Sequence, residues 1–296
     1  MQLAARHIDE ALGDPPRGGT VLGVYRNACS WRCDDGTVTT LLSVANDPLP
    51  LAVTVETPEA FAFTDHATVG QFVRVRGGIV RFANGGLSID LRWAERWCGR
   101  LDNDPIMVQP TMIDAGWEIV AAHGTASAGE FCLGHGKGGN PGSIALAGAD
   151  SVSALVSSTK TLDHARASGA ALALVGRGHG LTPSGDDFLV GFLAGLSTNC
   201  GARPKYRQFV RALGLAIVAD LGRTNSVSAT YLRAAADGRV GAALHAVINA
   251  FRSGKHRAVA TEIRRVLGIG HESGTCTIIG LLAGLECWPV ADRIGR

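Results

Sequence analysis

The sequence predicts an α+β protein: a small antiparallel β-rich domain with an N-terminal helix over residues 1–105, then a mainly α-helical domain over 106–296. Three observations predict it. Apolar residues between Thr20 and Leu91 recur with the period of strands; from Val108 onward they recur with helical spacing; and one Gly-rich loop-to-helix pattern occurs twice in the second half. A chain of 296 residues is long enough to bury two cores.

In chain order, Leu3, Ala4, Ile8 and Leu12 fit one face of a helix, which Pro15-Pro16-Arg17-Gly18-Gly19 ends. Val21, Val24 and Tyr25 open a strand run, and Asp34-Asp35-Gly36 turns into Val38–Leu42. Leu51–Val55, Phe72–Arg76 and Ile79–Phe82 follow, and Asn84-Gly85-Gly86 is a hairpin signal before Leu87–Leu91. Short, closely spaced strands of this kind make a small sheet or barrel. No catalytic constellation lies in it. Trp93 and Trp97 flank a charged stretch running to Asp104-Pro105, read as the linker, with the tryptophans packing the domain junction.

Beyond the linker, Gly134-His135-Gly136-Lys137-Gly138-Gly139 has the spacing of a dinucleotide fingerprint. It lacks a preceding strand, and Pro141 follows at once, so it reads as a flexible loop with Lys137 available to an anion. Helical spacing then covers about 205–221, 226–236, 240–251 and 256–266, and a nearly all-apolar last helix runs from Thr275 to about Cys287.

The organising stretch is Gly176–Leu196, in which Gly178-His179-Gly180-Leu181-Thr182-Pro183-Ser184-Gly185-Asp186-Asp187 leads into an apolar helix. Thr182 and Ser184 are good N-cap residues, Pro183 suits a first turn, and Asp186 and Asp187 suit the positive end of the helix dipole. A shorter copy spans Gly268–Leu285. With Ser184-Gly185 laid on Ser273-Gly274, the helix glycines Gly191 and Gly195 fall on Gly280 and Gly284, and the Gly178-His179 and Gly270-His271 pairs differ by a three-residue insertion. Two loop-to-helix starts of one design predict two helix N-termini side by side, packed through their glycines.

A helix N-terminus offers unpaired N–H groups, so such a pair suits a small anionic substrate carrying carboxylate, phosphate or carbamoyl phosphate groups. The binding candidates are Gly178, Gly180, Thr182, Ser184, Gly185, Ser273 and Gly274, joined by Arg223, Thr224 and Ser226 from the hydroxyl-rich segment 223–230. That segment reads equally as a capped helix start. Arg177 and Arg223 can add bidentate contacts. His179 and His271 are candidates for proton transfer. Asp186 and Asp187 read either as residues that cap the helix or as functional groups, one orienting a histidine or holding a cation such as Mg. No ligand spacing supports zinc on His135, His179, His271 and Cys276, and no cofactor is required.

A net charge of +2 argues against nucleic acid as a partner, and no apolar run reaches the ~18 residues of a membrane span. Met1–Arg17 has no signal-peptide core, so a cytoplasmic location is expected. The seven cysteines fit no zinc pattern and read as reduced and mostly buried, with Cys276 in the first turn of the last helix as the one to watch.

The run Gly178-x-Gly180-Leu-Thr-Pro-Ser-Gly-Asp-Asp187, then Arg223-Thr-x-Ser-x-Ser228, then Gly270-His-x-Ser-Gly274 resembles a bacterial family that includes the AllH subunit of oxamate carbamoyltransferase. It covers the C-terminal half well and the β-rich part in outline. The resemblance implies a carbamoyltransferase subunit in anaerobic allantoin or purine nitrogen use, converting oxalurate and phosphate to oxamate and carbamoyl phosphate with two other subunits. The chain departs from that family at His179, where proline is usual, and at Glu272, where a small hydroxyl residue is more common. His271, Asp186 and Asp187 are the catalytic candidates. The competing reading is a non-catalytic ligand-binding or scaffold subunit, because no undisputed nucleophile or base stands out.

Overall fold

The computed structural model describes residues 1–13, 16–83, 86–102, 108–133, 143–179 and 181–288, with backbone alone for 143–147. The chain divides into two compact units, Met1–Gly99 and Arg100–Arg296.

The first unit contains nine described strands: β1 (Gln2–Asp9), β2 (Gly19–Val24), β3 (Ala28–Cys33), β4 (Val38–Ser43), β5 (Ala52–Val55), β6 (Phe72–Arg76), β7 (Ile79–Phe82), β8 (Ser88–Asp90) and β9 (Glu95–Trp97). They run β5-β4-β3-β2-β6-β7-β8-β1-β9, and β1 also pairs with β5, closing eight strands into a barrel. The sheet is mixed. Antiparallel hairpins join β2–β3, β3–β4, β6–β7 and β7–β8, but β4–β5, β1–β8 and β1–β9 are parallel, which corrects the expected antiparallel sheet. Closing the ring sets the first strand beside the last ones, where it runs in their direction.

The expected N-terminal helix is therefore a strand. Its apolar spacing fits a helix locally, but pairing overrides that preference: Ala5 and Ile8 oppose Val55 and Val53 of β5. Asp9 ends the strand, accepting from the amides of Ala11 (2.7 Å) and Leu51 (3.0 Å). Inward residues including Trp31, Leu41, Phe63, Val80, Phe82 and Ile89 form the barrel core. Trp31 is fully buried and donates its indole N–H to the Arg17 carbonyl at 2.9 Å. Trp97 lies in β9 and Trp93 is 88% exposed, so this stretch belongs to the sheet unit and is not the linker. Asn84-Gly85, Pro15 and Asp104-Pro105 lie outside the described residues.

The second unit is helical: α1 (Pro110–His123), α2 (Ala126–Leu133), α3 (Ser143–Lys160), α4 (His164–Leu174), α5 (Ser184–Cys200), α6 (Pro204–Ala219), α7 (Ser226–Ala236), α8 (Ala242–Ser253), α9 (His256–Leu267) and α10 (Ser273–Glu286). The α5 and α10 helices are buried around most of their circumference and pack against each other. Glycine makes this possible. A Cβ on Gly191 would stand 1.9 Å from the Thr277 carbonyl oxygen, and one on Gly280 would stand 2.1 Å from that of Phe188. Gly195 and Gly284 repeat the arrangement against Leu281 and Phe192. Each contact has its mirror in the other helix, so the pair is related by a local two-fold.

Candidate functional site

That relation extends into the loops preceding the two helices. The Arg177 amide donates to Leu174 and the Gly185 amide to Arg177; in the copy, the Ile269 amide donates to Val266 and the Gly274 amide to Ile269. The first loop has room for the three-residue insertion because Gly178 takes φ +112°, and a side chain there would meet the Ser184 amide. Gly180 lies outside the described residues, as do Gly134–Gly139, His135, Lys137 and Pro141.

The expected N-caps do a different job. Pro183 occupies the cap position of α5, and no side chain caps that helix. The freed hydroxyls tie the two motifs together. Thr182 Oγ1 and Ser273 Oγ share a hydrogen bond of 2.7 Å, and Ser184 Oγ donates to Glu272 Oε2 at 2.8 Å. These bonds bring Thr182, Ser184, Asp187, Glu272 and Ser273 together at one end of the α5–α10 pair.

Asp186 and Asp187 are neighbours with different surroundings. Asp186 is 1% exposed and accepts from the Gly176 amide at 2.7 Å, Thr224 Oγ1 at 2.5 Å and Ser228 Oγ at 2.6 Å. One carboxylate thus fixes the entry loop, α5 and the start of α7. The hydroxyl-rich segment serves this anchor: Asn225 caps α7 by accepting from the Val227 and Ser228 amides, and its Nδ2 donates to the Leu181 carbonyl. Ser226 is the first residue of α7 and its carbonyl accepts from Thr230 Oγ1.

Asp187 is the chemically active neighbour. Its Oδ2 is buried without a hydrogen-bond partner among the described residues. Burial pushes its carboxyl up to about 7, the charges of Asp186 and Glu272 push the same way, and the Ser273 and Thr182 hydroxyls partly oppose them. A carboxyl in that range can take or give a proton near neutrality.

The amides of Gly185 and Gly274, expected as free donors, are taken by loop carbonyls. No described acceptor takes those of Ser184 and Ser273, one at each helix start. Arg223 Nη1 donates to the Leu172 carbonyl at 2.7 Å and lies 3.2 Å from Asp220 Oδ2, while Arg177 Nε donates to the Ala173 carbonyl. Both arginines brace the end of α4. His271 stands at the rim with its side chain 88% exposed and Nδ1 3.9 Å from Glu272 Oε1; His179 is exposed as well.

Position for position, Cys276 of α10 corresponds to Asp187 of α5, and it is fully buried with Cys132 Sγ 3.7 Å away. Among the described residues no group of three or more His, Cys, Asp or Glu side chains is placed to hold a metal, and no helix is long and apolar enough to cross a membrane. All seven cysteines are free and all but Cys98 are buried.

Sequence reasoning noted Glu272 only as a departure from a pattern and passed over Ser228 and Tyr231. Ser228 and Tyr231 stand three apart on α7, a spacing that puts both on one face.

The architecture defines an α+β protein with a duplicated loop–helix motif and a carboxyl–hydroxyl cluster where the copies meet. Residues 174–285, which contain both copies, match the family described as oxamate carbamoyltransferase subunit AllH, and that match supports membership of this family. No solved structure matches the chain.

Proposed function

We propose that this chain is a carbamoyltransferase subunit that holds a small carbamoyl or ureido acid, oxalurate or a close relative, where α5 and α10 begin. The observation that carries this reading is the unpartnered, buried Oδ2 of Asp187 beside the Thr182, Ser184 and Ser273 hydroxyls. The family description, a subunit of oxamate carbamoyltransferase, supplies the reaction class.

In the reaction, an oxygen of hydrogen phosphate bonds to the ureido carbon of oxalurate, and the bond from that carbon to the oxamate nitrogen breaks. The phosphate proton ends on that nitrogen. Asp187 is suited to carry it, accepting it as phosphate attacks and delivering it to the leaving amide. Charge gathers on the ureido oxygen between these events, and the Ser184 and Ser273 amides supply donors for it. Losing one such donor typically costs about 3 kcal/mol of transition-state stabilisation.

The cluster is rich in carboxylates, and Arg177 and Arg223 are engaged with backbone carbonyls of α4. Acceptors of this kind suit the N–H groups of a ureido acid better than they suit phosphate. We therefore assign the ureido acid to this chain and the phosphate contacts chiefly to partner subunits. A cation such as Mg remains part of the reading only as a phosphate counterion.

The test is carbamoyl phosphate formation from oxalurate and phosphate, with the chain alone and with its partner subunits. Activity in the assembled mixture that Asp187→Asn abolishes supports the reading. Full activity in that variant removes Asp187 from the chemistry. Oxalurate binding by the chain with turnover untouched by Asp187→Asn favours the non-catalytic ligand-binding subunit.

A further inference from the structure

Helix α7 brings one more group to the junction. Ser228 Oγ bonds Asp186 Oδ2 at 2.6 Å, which seats one face of α7 against the first turn of α5. Tyr231 is three residues further along that face, within electrostatic reach of Asp187. Burial, with the Asp187 charge behind it, raises the phenol above its ordinary range, so it stays protonated at any working pH and acts as a donor. Its hydroxyl has no hydrogen-bond partner among the described residues, although a buried tyrosine hydroxyl ordinarily finds one. The nearby Thr230 hydroxyl, by contrast, is spent on the Ser226 carbonyl.

We propose that Tyr231 contacts the ligand, its hydroxyl donating to a carbonyl or carboxylate oxygen of the small carbamoyl or ureido acid that Asp187 serves on its nitrogen side. This rests on the function proposed above and deepens it. It assigns the junction a ligand with an oxygen acceptor and an N–H donor on neighbouring atoms, the pattern of an amide or urea. A simple carboxylic acid lacks the donor and an amine lacks the acceptor.

The experiment is calorimetric binding of oxamate and oxalurate to the full chain, comparing the unmodified protein with Tyr231→Phe and Asp187→Asn. Phenylalanine keeps the ring, so an unchanged melting temperature shows that packing survives. The expected result is about a tenfold loss of affinity in Tyr231→Phe, the size of one hydrogen bond. The tyrosine ultraviolet difference band produced by ligand should vanish with it. Equal affinity and a persisting band overturn the assignment of Tyr231; if Asp187→Asn still loses binding, the proposed function stands without it. Absence of binding by the unmodified chain overturns both.

If Tyr231→Phe lowers the melting temperature, fluorotyrosine labelling answers the same question with the side chain in place. The chain has three tyrosines, so the Tyr231 fluorine resonance can be assigned. It should shift on adding oxamate, and a resonance that stays fixed while oxamate binds counts against the contact.

Discussion

Gly191 lies so close to Thr277 that a methyl group in place of its hydrogen would stand 1.9 Å from the Thr277 carbonyl oxygen. The obstruction is backbone, and both helices are buried on their other sides. Gly191→Ala should therefore destabilise the helical unit by about 3 kcal/mol or more, at or above the usual cost of overpacking. Gly169 is the control: it lies within α4 with nothing near its missing side chain. Gly169→Ala should stabilise by roughly 0.5–1 kcal/mol. Urea unfolding of the two variants should show midpoint shifts of opposite sign.

Asp186 is satisfied by three donors from three segments. Asp186→Asn turns one acceptor oxygen into a donor facing hydroxyls and a backbone amide, and should cost about 2–4 kcal/mol. Ser228→Ala removes a single donor and should cost about 1 kcal/mol. A double-mutant cycle between these positions should give clear coupling; simple additivity would show that the short contact contributes little.

Asp187 makes stability depend on pH with a defined sign. Its carboxyl is raised in the fold from the ordinary 3.8 to about 7. Between those values the folded chain binds a proton that the unfolded chain has lost. The stabilisation is complete below about pH 4 and disappears as pH rises through about 7. Asp187→Asn should flatten this part of the profile, by an amount bounded at about 4 kcal/mol and reduced by residual solvation. Unfolding free energies at several pH values, compared between the two proteins, measure it directly.

Glu272 is one of the charges that raise the Asp187 carboxyl. Glu272→Gln keeps an acceptor for Ser184 but removes that charge, so Asp187 should ionise at lower pH, by up to about one pH unit. Carboxyl-labelled NMR titration reads this shift. A midpoint unmoved by the substitution would mean that burial alone sets it.

These expectations rest on parts of the molecule that differ in how legible they were. The period of apolar residues announced the helices from α6 to α10, and laying Ser184 on Ser273 anticipated where α5 and α10 start. Strand β1 was not legible. Leu3, Ala4, Ile8 and Leu12 have helical spacing, and only partners near residues 53–55, 88–90 and 95–97 decide otherwise. The sheet was misjudged for the same reason, because direction in a closed ring depends on which strands meet last. Asp186 and Asp187 stood out, but adjacent identical residues say nothing about which one is saturated. Tyr231 and Glu272 acquire their surroundings from distant segments and leave no periodic trace.

The closure of the barrel also orders the events of synthesis. Strand β1 leaves the ribosome first, yet its partners extend to Val55, Asp90 and Trp97. The segment therefore waits while most of the first unit is made, and contacts this far apart in sequence form slowly. Its helix-compatible spacing gives the waiting chain a harmless local conformation, which it exchanges for a strand when the ring is ready to close.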